Sequence, residues 1–259
     1  MITAIRDTTL AWSDSDSGPT VVWAHPLTSS GLSPDATRHF DWEPVVAGGH
    51  RLVRYDARGH GRSGGKPNPE DFAFDNLARD LLALLDVLSP DAPVAGIGAS
   101  LGTATLLHAA VLAPERFDRL VLAIPPTAWE GRVPQRALYE SMADLVEDDG
   151  VSALEALLRD APAPPARLGL PGALPPVEVD ESLLPALLRG VGASDLPPRD
   201  RVAALRLPVL LLPWEEDPVH PVTTAVELAS LIPGAELEVA RTPGDVRDWS
   251  HRAAAFLAA

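Results

Sequence analysis

The stretch Val94-Ala95-Gly96-Ile97-Gly98-Ala99-Ser100-Leu101-Gly102, continued by Thr103-Ala104-Thr105-Leu106-Leu107-His108-Ala109-Ala110-Val111-Leu112, decides how the chain is read. Residues 94–97 form a short apolar run and residues 103–112 a run of helical period, so Ser100 falls at the turn between a strand and a helix. A residue at so sharp a turn takes a strained backbone conformation. Gly98 and Gly102, two positions to either side, remove the side chains that would collide there. The helix that follows offers the Leu101 N–H, and the positive end of its dipole, to an anion forming beside Ser100. The same pentapeptide pattern also occurs as an ordinary glycine-rich turn, so its surroundings have to decide.

Outward from this turn, short apolar runs alternate with helical segments over residues 20–123, the sequence form of parallel strands joined by crossover helices, and an α/β sheet is predicted. Strands are expected at 21–24, 51–55, 94–97 and 120–124. Residues 71–88 set Leu77, Leu81, Leu82, Leu84, Leu85 and Leu88 on one broad face, as a sheet-covering helix requires. Residues 2–6 and 9–13 read as an antiparallel hairpin at the sheet edge, closed by turn residues at 14–19. Pro125-Pro126 ends the alternation, and about eighty helical, proline-rich residues follow, the length of an inserted subdomain. Helices are expected there at 134–146, 151–159 and 181–189, with 161–176 irregular. The sheet pattern resumes at 207–212, followed by a helix near 223–231, a strand at 236–240 and a terminal helix ending in Phe256-Leu257. The expected organisation is a core of residues 1–125 and 206–259 carrying a helical lid over 126–205.

The chain has 259 residues, 46% hydrophobic and 22% charged, values of a folded protein rather than a disordered one. At roughly 150 residues per domain this is one large domain or a core with an insertion. A formal charge of −15, from 36 acids against 21 bases with Lys66 the only lysine, argues against nucleic acid and against anionic lipid surfaces as partners. The absence of cysteine excludes disulfides, a thiolate nucleophile and Cys-ligated zinc. The seven histidines are scattered, with no His-x-x-x-His pair around an acid, and no dinucleotide fingerprint occurs, so neither metal nor cofactor is expected. The N-terminus lacks the layout of a secretory signal, and the apolar stretches at 81–85 and 209–212 are too short to span a bilayer. A soluble cytoplasmic protein acting on a small molecule is expected, of undetermined oligomeric state.

Together these features resemble the α/β-hydrolase superfamily, in its serine-nucleophile, lid-bearing form, over essentially the whole chain apart from the lid. Gly98-Ala99-Ser100-Leu101-Gly102 is similar to the family's nucleophile elbow, and Tyr55-Asp56-Ala57-Arg58-Gly59-His60-Gly61-Arg62-Ser63 to its loop after the strand preceding the elbow. His25 resembles the family's oxyanion loop, and Asp217-Pro218-Val219-His220-Pro221 its catalytic-acid turn. The resemblance implies Ser100 as nucleophile, Asp217 as acid, and the backbone N–H groups of Leu27 and Leu101 as oxyanion donors. Two departures stand out. His25-Pro26 replaces the usual His-Gly and removes one N–H. Gly244-Asp245 stands where the family places Gly-His, so the general base is missing from its expected place.

Without a base a serine hydroxyl is a poor nucleophile at neutral pH, so another imidazole has to serve if the chemistry is to proceed. His220, three residues beyond Asp217 on a loop expected at the carboxyl edge of the sheet, is the first candidate. It reads equally well as a loop histidine opening the next helix. Asp217, or else Glu215 or Glu216, would orient it. His251 is the alternative base, although it lies in a run, 249–257, that reads as helix. His108 reads as a packing residue, His60 as a turn residue, His39 and His50 as surface or loop residues, and His25 as a residue shaping the oxyanion loop. His25, Trp129, Tyr139 and Trp214, with Trp42, are candidates to line an apolar pocket beneath the lid, or else belong to the core. Two functions follow. One is a serine hydrolase cleaving a small, largely apolar carboxylic ester or lactone through an acyl-enzyme. The other is a hydrolase-fold protein with a degenerate triad that binds a small ligand or catalyses a non-hydrolytic step such as cyclisation. A purely structural protein would have no reason to carry a strained elbow.

Overall fold

A single eight-stranded sheet, in the order β1-β2-β4-β3-β5-β6-β7-β8, organises the computed structural model, which describes residues 1–15, 17–31, 40–170 and 176–259. β1 (Ile2–Ile5) and β2 (Thr8–Asp14) form the expected antiparallel hairpin at one edge, and β2 runs antiparallel to β4 (Arg51–Tyr55). The remaining pairings are parallel and join β4 to β3 (Thr20–Ala24), then β5 (Val94–Ala99), β6 (Phe117–Ala123), β7 (Val209–Leu212) and β8 (Glu236–Leu237). The chain passes from β3 outward to β4 and then returns to the other side of β3 for β5. The carboxyl ends of β3 and β5 therefore flank a point where the winding reverses, with Ala24 beside Gly98, and loops splay apart there to leave a crevice.

Side chains alternate across each strand, which divides the apolar residues into two layers. Val22, Leu120, Leu122, Val209 and Leu211 face one layer, covered by α2 (Phe74–Leu88) and α3 (Leu101–Leu112). Val21, Trp23, Val121, Ala123, Leu210 and Leu212 face the other, covered by α1 (Glu43–Ala47) and α9 (Pro243–Ala258). On α2 the expected face is buried at Leu77, Leu81, Leu84 and Leu85, with Leu82 and Leu88 half-buried at its margin. Between β6 and β7 the chain runs through α4 (Arg132–Asp149), α5 (Val151–Asp160), α6 (Leu184–Ala193) and α7 (Arg199–Ala203), and α8 (Val222–Leu231) follows β7. No helix among the described residues is long and apolar enough to cross a membrane.

Several boundaries differ from expectation, each for a local reason. The helix expected at 71–88 starts at Phe74, because Pro69–Phe72 winds as a separate 3-10 turn. The helix expected at 181–189 is shifted to Leu184–Ala193, with Pro185 in its first turn, where a missing N–H costs nothing. The terminal helix begins at Pro243, six residues before the apolar periodicity becomes readable. The last strand is reduced to two residues, with Ala240 making only an isolated bridge to Trp214. α1 and α7, five residues each, are too short to show a helical period and were not expected. Within 161–176 the described residues hold one 3-10 turn, Pro165–Arg167. Residues 171–175 and His39 lie outside the described residues.

Candidate active site

β5 ends at Ala99 and α3 begins at Leu101, so Ser100 alone reverses the chain, at φ 52° and ψ −110°. For a residue carrying a Cβ this backbone costs about 1–3 kcal/mol. Close packing enforces it. A Cβ on Gly102 would sit 1.9 Å from the Ala24 carbonyl oxygen, and one on Gly98 would sit 2.6 Å from the Gly102 carbonyl, so α3 approaches β3 and β5 more closely than any side chain permits. The Ser100 N–H donates to Ala123 O at 3.2 Å, and the Thr103 hydroxyl, 3.0 Å from Gly98 O and 2.8 Å from Ala123 O, ties the turn to β6.

A second loop, leaving β7, comes to Ser100. His220 Nε2 lies 2.8 Å from Ser100 Oγ, and His220 Nδ1 lies 2.9 Å from Asp217 Oδ2. With Nδ1–H donating to the carboxylate, the Nε2 lone pair faces the serine hydroxyl, the tautomer that can accept its proton. Asp217 is engaged on both oxygens. Oδ1 accepts from the Val219 and His220 N–H groups at 2.9 and 3.1 Å, and Oδ2 accepts from Trp214 Nε1–H at 2.7 Å as well as from the imidazole. The first pair is an Asx-type turn, for which Asp followed by Pro218 is suited. Burial works to raise the Asp217 carboxyl, but the His220 ring, the Trp214 indole N–H and the Val219 amide outweigh it and hold the group well below the usual carboxylate range.

The loop after β3 supplies the third part. The Pro26 carbonyl accepts from Ser29 N–H at 3.2 Å and from His25 Nδ1 at 2.8 Å. Because the peptide is planar and trans, anchoring this carbonyl aims the Leu27 N–H to the opposite side. The Leu27 carbonyl lies 2.6 Å from His60 Nε2. Neither the Leu27 nor the Leu101 N–H is taken by an acceptor among the described residues. His25 Nε2 accepts from Ala57 N–H at 2.9 Å, so both of its nitrogens are used within the loops. Burial, helped by the neighbouring His60, pushes its pKa down to about 3 and keeps the ring neutral. His25 thus braces the loop through both ring nitrogens.

Residues 19–149 match a family model described as the alpha/beta hydrolase fold, a span that includes β3, the elbow and α3. The chain belongs to the α/β-hydrolase fold family. RutD of Agrobacterium fabrum, provisionally named a carbamate hydrolase, is 29% identical over 228 residues, 82% of each chain. The 3-oxoadipate enol-lactonase 1 of Acinetobacter baylyi is 29% identical over 145 residues, 54% of this chain and 48% of that one. The crystal structure of a hydrolase from Pseudomonas aeruginosa superposes with a TM-score of 0.83 at 25% identity, covering 100% of this chain and 98% of that one. An enol-lactonase from Burkholderia xenovorans superposes with a TM-score of 0.80 at 22% identity over all of both chains.

In this α/β-hydrolase Asp245 of the Gly244-Asp245 pair caps the start of a helix. Asp245 Oδ2 accepts from the N–H groups of Arg241 and Thr242 at 2.8 and 2.9 Å, and Thr242 Oγ1 accepts from Asp245 N–H at 3.3 Å, a capping box. His251 lies exposed on the same helix and shares no hydrogen bond with Ser100, Asp217 or His220. Glu215 pairs with Arg241 at 2.8 Å, leaving Asp217 as the carboxylate on His220. His108 bonds the Asp195 carbonyl at 2.8 Å, and the His60 ring sits between the carbonyls of Arg58 and Leu27.

The aromatic candidates separate. Trp42 is core, 5.2 Å from the Trp23 ring. Trp129 is half-buried, with its indole N–H on Pro197 O and the Arg199 guanidinium 4.3 Å from its ring. Tyr139 is buried; burial raises its hydroxyl pKa, while Arg132 beside it works the other way and Asp217 adds to the rise, so the ring stands within electrostatic reach of the acid. Trp214 is buried and stacked 5.7 Å from Trp249, and its direct bond to Asp217 went unread in the sequence. The signal available was an indole at the end of β7, three residues before the acid. A cleft of about 650 Å³ lined by Trp12, Ser30, Arg54, Asp56, Arg62 and Glu178 includes none of Ser100, Asp217 and His220.

Proposed function

We propose that this α/β-hydrolase is a serine hydrolase of esterase or lactonase type, cleaving a small, largely apolar carboxylic ester or lactone through an acyl-enzyme on Ser100. The observation that carries the reading is the imidazole of His220, 2.8 Å from Ser100 Oγ at Nε2 and 2.9 Å from Asp217 at Nδ1. His220 Nε2 takes the hydroxyl proton as Oγ adds to the acyl carbon. The Leu27 and Leu101 N–H groups receive the oxyanion, aided by the N-terminal dipole of α3. Collapse of the tetrahedral species breaks the acyl–oxygen bond, and His220 returns the proton to the departing alkoxide, which in a lactone stays tethered to the acyl group. Water, deprotonated by His220, then releases the acid and restores Ser100. Asp217 holds the tautomer and balances the imidazolium that forms.

Residues 126–205 act in this reading as the lid. Support comes from the contact of this segment with the oxyanion loop, where Glu178 N–H donates to Thr28 O at 3.0 Å, and with the loop after β4, where Gly61 N–H donates to Glu178 O at 2.7 Å. A lid seated there admits small molecules and turns away folded proteins.

The test is intact-mass detection of fluorophosphonate labelling. Wild type takes up one equivalent, Ser100→Ala takes none, and His220→Ala labels at least about 1,000-fold more slowly. Equal labelling of wild type and His220→Ala would move the base elsewhere. Absence of labelling and of ester turnover in folded wild type would overturn the hydrolase.

A further inference from the structure

The 3-10 turn Pro165–Arg167 packs against the same apolar layer as Trp214 and Trp249, through Ala166 and Leu170. It carries the Arg167 guanidinium to 5.8 Å from the Trp214 ring centre, and Trp214 is the residue whose indole N–H holds Asp217. Arg167 is half-buried, and among the described residues none of its guanidinium N–H donors meets a carboxylate or a carbonyl. Other buried or half-buried arginines among the described residues do meet carboxylates. Arg58 faces Asp7 and Asp80, and Arg189 faces Glu140, Asp144 and Glu147. Burial pulls the Arg167 guanidinium below its ordinary value, and Asp217, near enough to be felt, opposes this.

A half-buried guanidinium that meets no carboxylate among the described residues is the side chain best shaped to take one on two parallel N–H bonds. The chain bears a net charge of −15, so its overall field repels anions unless a local cation overrides it. Asp217 cannot serve as the missing partner, because both of its oxygens are already engaged.

We infer that Arg167 is a specificity-determining residue that binds a carboxylate carried by the substrate, so that the preferred ester or lactone is anionic. This rests on the serine-hydrolase reading of the same site. It narrows the substrate from a wholly apolar molecule to one with an apolar body and a charged end.

Two matched ester pairs test it, one varying the acyl half and one the alcohol half. They are p-nitrophenyl butyrate against mono-p-nitrophenyl succinate, and phenyl acetate against 3-acetoxybenzoate. Wild type is expected to favour the anionic member of one pair in kcat/KM. Arg167→Met keeps the unbranched stem on Trp214 and lowers that anionic-to-neutral ratio about 10- to 100-fold, while Arg167→Lys recovers part of it. An unchanged ratio in both pairs overturns the proposal. So does an equal fall for both members, which would make Arg167 a support for Trp214 and Asp217 instead. Should wild type hydrolyse none of the four, the hydrolase reading fails separately, and calorimetric binding of succinate and benzoate decides. Weaker binding to Arg167→Met upholds the anion site, and equal binding removes it.

Discussion

At the residue scale, acid and imidazole come from one turn. Asp217 and His220 are three residues apart, held by Pro218 and Pro221 and by the Asx-type bonds from Val219 and His220 N–H to Asp217 Oδ1. A pair built this locally does not depend on the loop after β8. Introducing Asp245→His into His220→Ala, which creates a Gly-His dipeptide at 244–245, is therefore expected to leave ester turnover at the level of the single variant. Recovery of turnover would show that the position after β8 still reaches Ser100. Trp214 makes the second residue-scale prediction. Trp214→Phe keeps a ring against Trp249 but removes the N–H on Asp217 Oδ2, so kcat should fall about 10-fold with KM little changed. Steady-state kinetics with an activated ester would decide, and an unaltered kcat would reduce the indole to packing.

At the element scale, the elbow and the start of α9 are both specified by backbone, and they fail differently. Gly102→Ala would drive a Cβ to 1.9 Å from the Ala24 carbonyl, a backbone atom of a central strand that cannot move aside. It should destabilise the protein by about 3 kcal/mol or more, measurable as a fall in the urea midpoint, or prevent folding. Thr242→Ala removes one half of the capping box of α9 and should cost about 1 kcal/mol, with ester turnover unaffected because the box lies apart from Ser100. Lost turnover in a folded Thr242→Ala protein would tie α9 to the site more closely than its hydrogen bonds indicate.

At the scale of the whole molecule, the buried His25 and His60 and the half-buried His108 are expected to make stability fall in acid. Burial lowers the pKa of His25, to about 3, and also those of His60 and His108. Below the ordinary value of 6.5 the unfolded chain takes up protons at these rings while the native protein does not. The unfolded state then binds more protons, so stability falls as pH drops, by about 1.4 kcal/mol per pH unit for each ring in its window, which for His25 runs from 6.5 down to about 3. Urea midpoints at pH 7.5 and 5.5 should differ accordingly, and a folded His25→Gln protein should show a shallower dependence. A midpoint that does not move between those two values would mean that these rings titrate normally.

The sequence by itself determined the sheet and the elbow, because both are local. The short apolar runs at 21–24, 51–55 and 94–97 are written in the sequence itself, and the glycines flanking Ser100 are required by sterics within five residues. The acid and the nearby histidine were legible as candidates for the same reason, being three residues apart. Which histidine stands beside Ser100 was not legible. His220 and His251 both follow late strands, and only the order β5-β6-β7-β8, with the exposed face of α9 taking His251 away, brings one of them to 2.8 Å from Ser100. Trp214 on Asp217, and Arg167 over Trp214, were likewise decided by tertiary structure. Arg167 and Trp214 lie on segments separated in the chain but adjacent in space, and although Trp214 is only three residues from Asp217, the turn that points its indole N–H at the carboxylate is set by packing against Trp249 rather than by spacing.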